Sequence, residues 1–209
     1  MSDHHRPPVV EAARPLATPL PMGFLGLVMA SSLFGVLQLG WLPVTQTSLV
    51  ALGVLVFAVP LQACSSVFGL LGRDPVAGTG SGILAATWGA TTALTLARPH
   101  PATHPALGVL LLLAGAALLV PAAGGLGKLL ASGVLATAAL RFVVTGVYEL
   151  TSSPTWMTVA GWVGLVTGAV ALYGALAFEL EGVAHRAVLP TGRRVPVAEQ
   201  PPVGVRSEV

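Results

Sequence analysis

The chain has 209 residues, of which 54% are hydrophobic and 9% are charged, with a formal net charge of +2 and a pI near 9.2. A soluble domain of this length carries roughly 25% charged residues and needs that polar surface to face water, so the composition excludes a soluble fold and indicates a chain solvated by lipid. The small positive excess suits contact with anionic headgroups. Clustered Lys/Arg with interleaved aromatics, which a nucleic-acid partner requires, is missing.

The first 21 residues are polar and Pro-rich and read as a cytoplasmic tail. The apolar run after them is long enough to span a bilayer rather than be cleaved as a signal. About 20 apolar residues at 1.5 Å rise cross the hydrocarbon. Six windows meet that length: Met22–Trp41, Ser48–Leu71, Thr79–Ala97, Pro105–Ala123, Leu129–Tyr148 and Met157–Phe178. Breakers separate them at Pro43, Gly72 to Pro75, Pro99 to Pro105, Gly124 with Gly125, and Ser152 to Pro154. The runs are continuously apolar rather than alternating, which disfavours a β-barrel. The predicted fold class is therefore an all-α integral membrane protein of six transmembrane helices. The organisation is an N-terminal tail at 1–21, a six-helix domain at 22–182 and a cytoplasmic C-terminal tail at 183–209. The single cysteine, Cys64, lies within the second run and is expected to be an inert buried thiol.

Orientation follows from the positive residues. Arg6, Arg14, Arg73, Lys128, Arg186, Arg193, Arg194 and Arg206 fall on one side of a six-span chain, and Arg98 alone on the other. This places both termini in the cytoplasm of a multi-pass protein in a cell membrane, the inner membrane of a bacterial-type cell. Small residues recur at helical spacing: Gly23, Gly26 and Ala30 in span one, and Ala160, Gly164 and Gly168, with Leu172, in span six. Such faces let helices approach closely in lipid. The fourth span is aliphatic throughout and is expected to face lipid or another subunit.

The tenth positive residue, Arg141, lies inside span five, about 20 Å from the Lys128 end. A charge at that depth costs roughly 2.5–3.5 kcal/mol on insertion scales and must face protein or water. Thr137, Arg141, Thr145 and Tyr148 share one helical face. A hydroxyl-lined stripe with one fixed cation suits passage of a small anion, because a guanidinium binds carboxylate bidentately. The alternative is a structural pair between Arg141 and Glu149. Gln62 lies mid-span just after Pro60, where it either satisfies a carbonyl freed by the proline or lines a pore. Thr87, Thr91 and Thr95, with Trp88 beside them, stack in span three. Hydroxyls there commonly bond back to their own helix. His4, His5, His100, His104 and His185 have no zinc-site spacing. Nucleophile elbows, Walker loops, zincin motifs and dinucleotide fingerprints are missing, so no enzyme, metal or cofactor is expected.

The last span and its exit read Ala160-Gly161-Trp162-Val163-Gly164-Leu165, Gly168-Ala169, Ala171, Tyr173 and Ala175, then Arg186, Val188-Leu189-Pro190 and Gly192. The first span opens Thr18-Pro19-Leu20-Pro21-Met22-Gly23-Phe24. These segments resemble the acetate uptake transporter family, whose Asn-Pro-Ala-Pro-Leu-Gly-Leu opening keeps Pro19, Pro21 and Gly23 here; Gln62 and Trp88 also fall at its spacing. The resemblance implies a six-helix subunit, a hexameric homo-oligomer in membrane lipid, and transport of acetate and related small carboxylates, succinate included, by symport or as an anion channel. Its narrow point of Phe, Tyr and Leu corresponds to Leu27, Leu84 and Ala138, so both aromatics of that gate are lost. The competing reading is a relative that no longer transports and serves as a membrane interaction or assembly protein. Reporter fusions at Val209 and near Pro101 should read opposite sides of the membrane; agreement between them would overturn the six-span topology.

Overall fold

A computed structural model describes residues 17–97 and 103–192 of the chain. Arg6, Arg14, Arg98, Arg193, Arg194 and Arg206 of the orientation count, and His4, His5 and His100, lie outside those residues.

Among the described residues six long helices follow in chain order: α1 over Leu20–Gln38, α2 over Val44–Leu71, α3 over Pro75–Ala97, α4 over Pro105–Gly124, α5 over Leu129–Thr151 and α6 over Pro154–Ala184. Proline opens α3, α4 and α6, where its missing N–H costs nothing because the first-turn donors have no helical partner. All but α3 are long and apolar enough by composition to cross a membrane. α3 has 23 residues, and its mean hydropathy is diluted by Ser81, Thr87, Thr91 and Thr92, all of which point inward and are buried. α6 runs 31 residues, past the expected end of its span at Phe178. At 1.5 Å per residue it exceeds the roughly 30 Å hydrocarbon layer and must tilt or protrude. Within α2, Val54–Ala58 forms a π-helical segment just before Pro60, which has no N–H to donate to the preceding turn.

The helices close into a ring in which each packs on its sequence neighbours and α6 returns to α1. The closest pairs are α1 with α6, α2 with α3, and α4 with α5. Glycine sets that closeness. A Cβ on Gly108 of α4 would stand 2.9 Å from the Gly146 carbonyl of α5, and one on Gly146 would stand 2.8 Å from the Gly108 carbonyl. Gly69 of α2 meets the Gly78 backbone of α3 in the same way, at 2.5 Å. Gly164 and Gly168 of α6 face Ser31 and Ser32 of α1 as their spacing predicts, whereas Leu172 is 52% exposed and does not belong to that face. Gly23 and Gly26 abut Ser65 and Gln62 of α2 rather than α6.

α1 and α5 bury 56% of their apolar stretch, against 28% for α2 and 39% for α4. The interior is therefore built mainly from α1, α3 and α5. The outer face of α2 leaves Leu49, Leu52, Val56, Phe57 and Val67 exposed. Cys64 sits on that face and is exposed, which corrects the expectation of a buried thiol: continuous apolarity in a span does not tell which side faces lipid. At one end of the ring Asp74 accepts the Ala77 N–H at 3.1 Å and pairs with Lys128 at 2.7 Å, tying α3 to α5. The chain leaving α6 folds back to the same end, where the Thr191 carbonyl accepts the Leu130 N–H and the Pro190 carbonyl accepts the Tyr173 hydroxyl. Gly108→Ala should lower the thermal midpoint in detergent, by about 1–3 kcal/mol of stability as overpacking does, and Gly133→Ala, with open space at its Cβ, should not; equal midpoints would refute this account of the α4–α5 contact.

Candidate functional site

Two cavities meet at the end of the ring where α1 finishes and α6 begins. The wider is about 350 Å³ and is lined by Phe34, Leu37, Gln38, Thr47, Thr95, His104, Leu107, Tyr148, Glu149 and Met157 among others. The second, about 50 Å³, shares Phe34, Gln38, Thr95, Leu107 and Glu149 with it and adds Trp88, Thr91, Leu111, Arg141, Phe142 and Thr145. The shared residues make them a vestibule and its inner recess, and Arg141 forms part of the recess wall.

Arg141 is 1% exposed. Its Nη1 donates to Thr145 Oγ1 at 2.6 Å and to the Ala160 carbonyl of α6 at 2.8 Å. Its Nε–H has no partner. Space for the guanidinium comes from Gly164, where a Cβ would lie 2.8 Å from Nε and 2.9 Å from the Ser31 carbonyl. The expected alternative pairing is not formed: Glu149 Oε2 instead accepts the His104 backbone N–H at 2.8 Å. A buried cation with a free N–H and no carboxylate partner attracts an anion strongly, since the interior screens it far less than water does.

The polar stripe is only partly assembled. Thr145 lines the recess and Tyr148 the vestibule. Thr137, one turn further in, donates to the Val134 carbonyl of its own helix and lines neither cavity. Gln62 is fully buried on α2 against Gly26, with neither amide atom hydrogen-bonded; it too lines neither cavity. Leu27, Leu84 and Ala138, on α1, α3 and α5, are all buried in one apolar cluster. They stand about one turn inward of the recess, since Leu84 precedes Trp88 by four residues and Ala138 precedes Arg141 by three.

Thr87, Thr91 and Thr95 each donate to the carbonyl four residues back, at 2.7–2.8 Å. Even so, Thr91 and Thr95 face the recess with their remaining lone pairs. Sequence reasoning missed Phe34, Gln38 and Trp88 as cavity residues. Phe34 stacks on Trp88 at 5.6 Å, and Trp88 meets Phe142 edge-on at 5.3 Å, forming an aromatic wall across from the arginine. The available signal was register: Trp88 lies four residues after Leu84 and four before Thr92, so the three share one helical face, and all are buried.

A ring of six apolar helices that encloses a polar recess is an α-helical membrane-protein architecture. No protein-family model and no curated protein matches the sequence. Among solved structures, the chain is similar to the bacterial acetate channel SatP, with a TM-score of 0.74 and 24% sequence identity over 85% of this chain and 99% of that one. The chain thus has the acetate-channel fold. Gly164→Ala should disturb the guanidinium as well as the helix contact: the thermal midpoint in detergent is expected to fall, and an unchanged midpoint would show that Arg141 does not depend on that glycine.

Proposed function

We propose that the protein carries acetate and related small carboxylates across a cell membrane, by a pathway inside each subunit of a homo-oligomer. What carries the reading is the vestibule that narrows to Arg141, a buried cation with an unsatisfied N–H and no carboxylate partner. The acetate-channel fold agrees with it. Below the recess the reading continues the pathway past Leu27, Leu84 and Ala138, whose small aliphatic side chains form the constriction, and along the unbonded amide of Gln62. Tyr148 contributes its hydroxyl to an incoming anion, and Thr145 and Thr137 join it only if their hydroxyls turn from the Arg141 and Val134 carbonyls. The termini face the cytoplasm, so the vestibule opens outward. The subunits assemble as a hexamer through the apolar outer faces, and the proposal extends to succinate where its chain length can be fitted.

Arg141→Gln should abolish most labelled-acetate uptake in liposomes while leaving assembly intact, whereas Arg141→Lys keeps part of it, because charge survives without the planar fork. Full flux in a well-folded Arg141→Gln protein would end the proposal. A fall in thermal midpoint with unaltered flux would mark Arg141 as a packing residue.

A further inference from the structure

The recess holds a second unsatisfied donor. Trp88 is 3% exposed and lines the same recess as Arg141, yet its indole Nε1–H has no hydrogen-bond partner. Buried donors without partners are rare because each forfeits the bond that water would have supplied, roughly 1–3 kcal/mol. Trp88 and Arg141 both line this recess, and their two unpartnered donors, Nε1–H from α3 and Nε–H from α5, are better explained by a shared acceptor than by two separate packing faults. A carboxylate has two oxygens and about four lone-pair directions, enough to accept from both. Trp88 is also held rigidly. Phe34 stacks on one side and Phe142 meets it edge-on, so little side-chain entropy is lost when its N–H is engaged. The same rings give the alkyl end of a short carboxylate an apolar surface, which a bare hydrated ion such as chloride would not use.

Resting on the anion reading of Arg141, we infer that the Trp88 indole N–H is the second donor of a carboxylate subsite. The guanidinium supplies charge from one side, and the indole supplies a neutral, directional hydrogen bond from the other. Trp88 is then a ligand-binding and selectivity residue, not only a packing element of the interior.

The test uses the full chain in liposomes with labelled acetate and two independent measurements. Trp88→Phe removes the N–H and keeps an aromatic ring between Phe34 and Phe142. It should raise the KM for acetate by about tenfold or more, the loss expected for a hydrogen bond to a charged group, with the thermal midpoint little changed. The chain has four tryptophans, and Trp41, Trp156 and Trp162 are exposed and line neither cavity. In a Trp41→Phe, Trp156→Phe, Trp162→Phe background the emission of Trp88 should therefore shift or quench on adding sodium acetate and saturate near the transport KM. Adding Arg141→Gln to that background should remove the response. An unchanged KM in a folded Trp88→Phe protein, or Trp88 emission indifferent to acetate, would overturn the inference. Loss of flux in Arg141→Gln alongside either result would leave the arginine site standing without Trp88. Full flux in Arg141→Gln would instead remove the anion reading itself.

Discussion

The guanidinium of Arg141 is the constraint around which the rest of the interior is arranged. A charge at that depth cannot be left facing lipid, and among the described residues no carboxylate pairs with it: Glu149 accepts the His104 N–H. One end is therefore secured by neutral acceptors, Thr145 Oγ1 and the Ala160 carbonyl. The second of these belongs to α6, so α5 and α6 must lie close enough for a side chain to bridge them. Gly164 supplies that proximity, and it also brings α6 against the Ser31 carbonyl of α1. That glycine thus seats the charge and takes part, with Gly35, Gly161 and Gly168, in closing the ring between its first and last helices.

Lipid tails are as apolar as the side chains they touch, so burial of apolar surface does little to hold such a ring together. Backbone-to-backbone contact at Gly108 with Gly146, and at Gly69 with Gly78, substitutes dispersion at very short range. The division of labour among helices follows. α2 and α4 carry exposed aliphatic faces, and α1, α3 and α5 turn inward. That inward position explains why α3 can carry so many hydroxyls. Thr87, Thr91, Thr92 and Thr95 each donate their hydroxyl proton to their own helix backbone, which makes the helix cheap to bury.

Much of this architecture is readable from the residues because lipid imposes a length rule. Six apolar windows became six helices, with ends moved by a few residues: α2 starts at Val44 rather than Ser48, and α6 continues to Ala184. The Arg141–Thr145 contact was legible for a similar reason, since four-residue spacing on one helix needs no knowledge of neighbours. What depended on neighbours was not legible. Thr137 obeys the same spacing but bonds inward to Val134. Cys64 lies in as apolar a run as any core residue and faces outward. Gln38, Phe34 and Trp88 converge on the recess from two helices far apart in sequence. Only the closure of the ring brings them together, and no periodicity within one helix encodes it.

The proposed anion pathway must attract its cargo without trapping it, and in that proposal the recess bears on both tendencies. Arg141 and the free Trp88 N–H favour a negative charge. Glu149 lines the vestibule and the recess together, so a carboxylate moving outward from Arg141 passes another carboxylate held at the mouth by the His104 N–H. If Glu149 paired directly with Arg141, the two charges would cancel and nothing would draw an anion inward. Held apart by the His104 backbone, Glu149 leaves the cation of the recess without a cancelling charge. The threonines act in the opposite sense. Their hydroxyls are already committed to backbone carbonyls, so an anion that recruits them must break an existing bond, and the net gain per hydroxyl stays small. A shallow site built from one strong cation and several reluctant donors suits rapid turnover better than a deep one would.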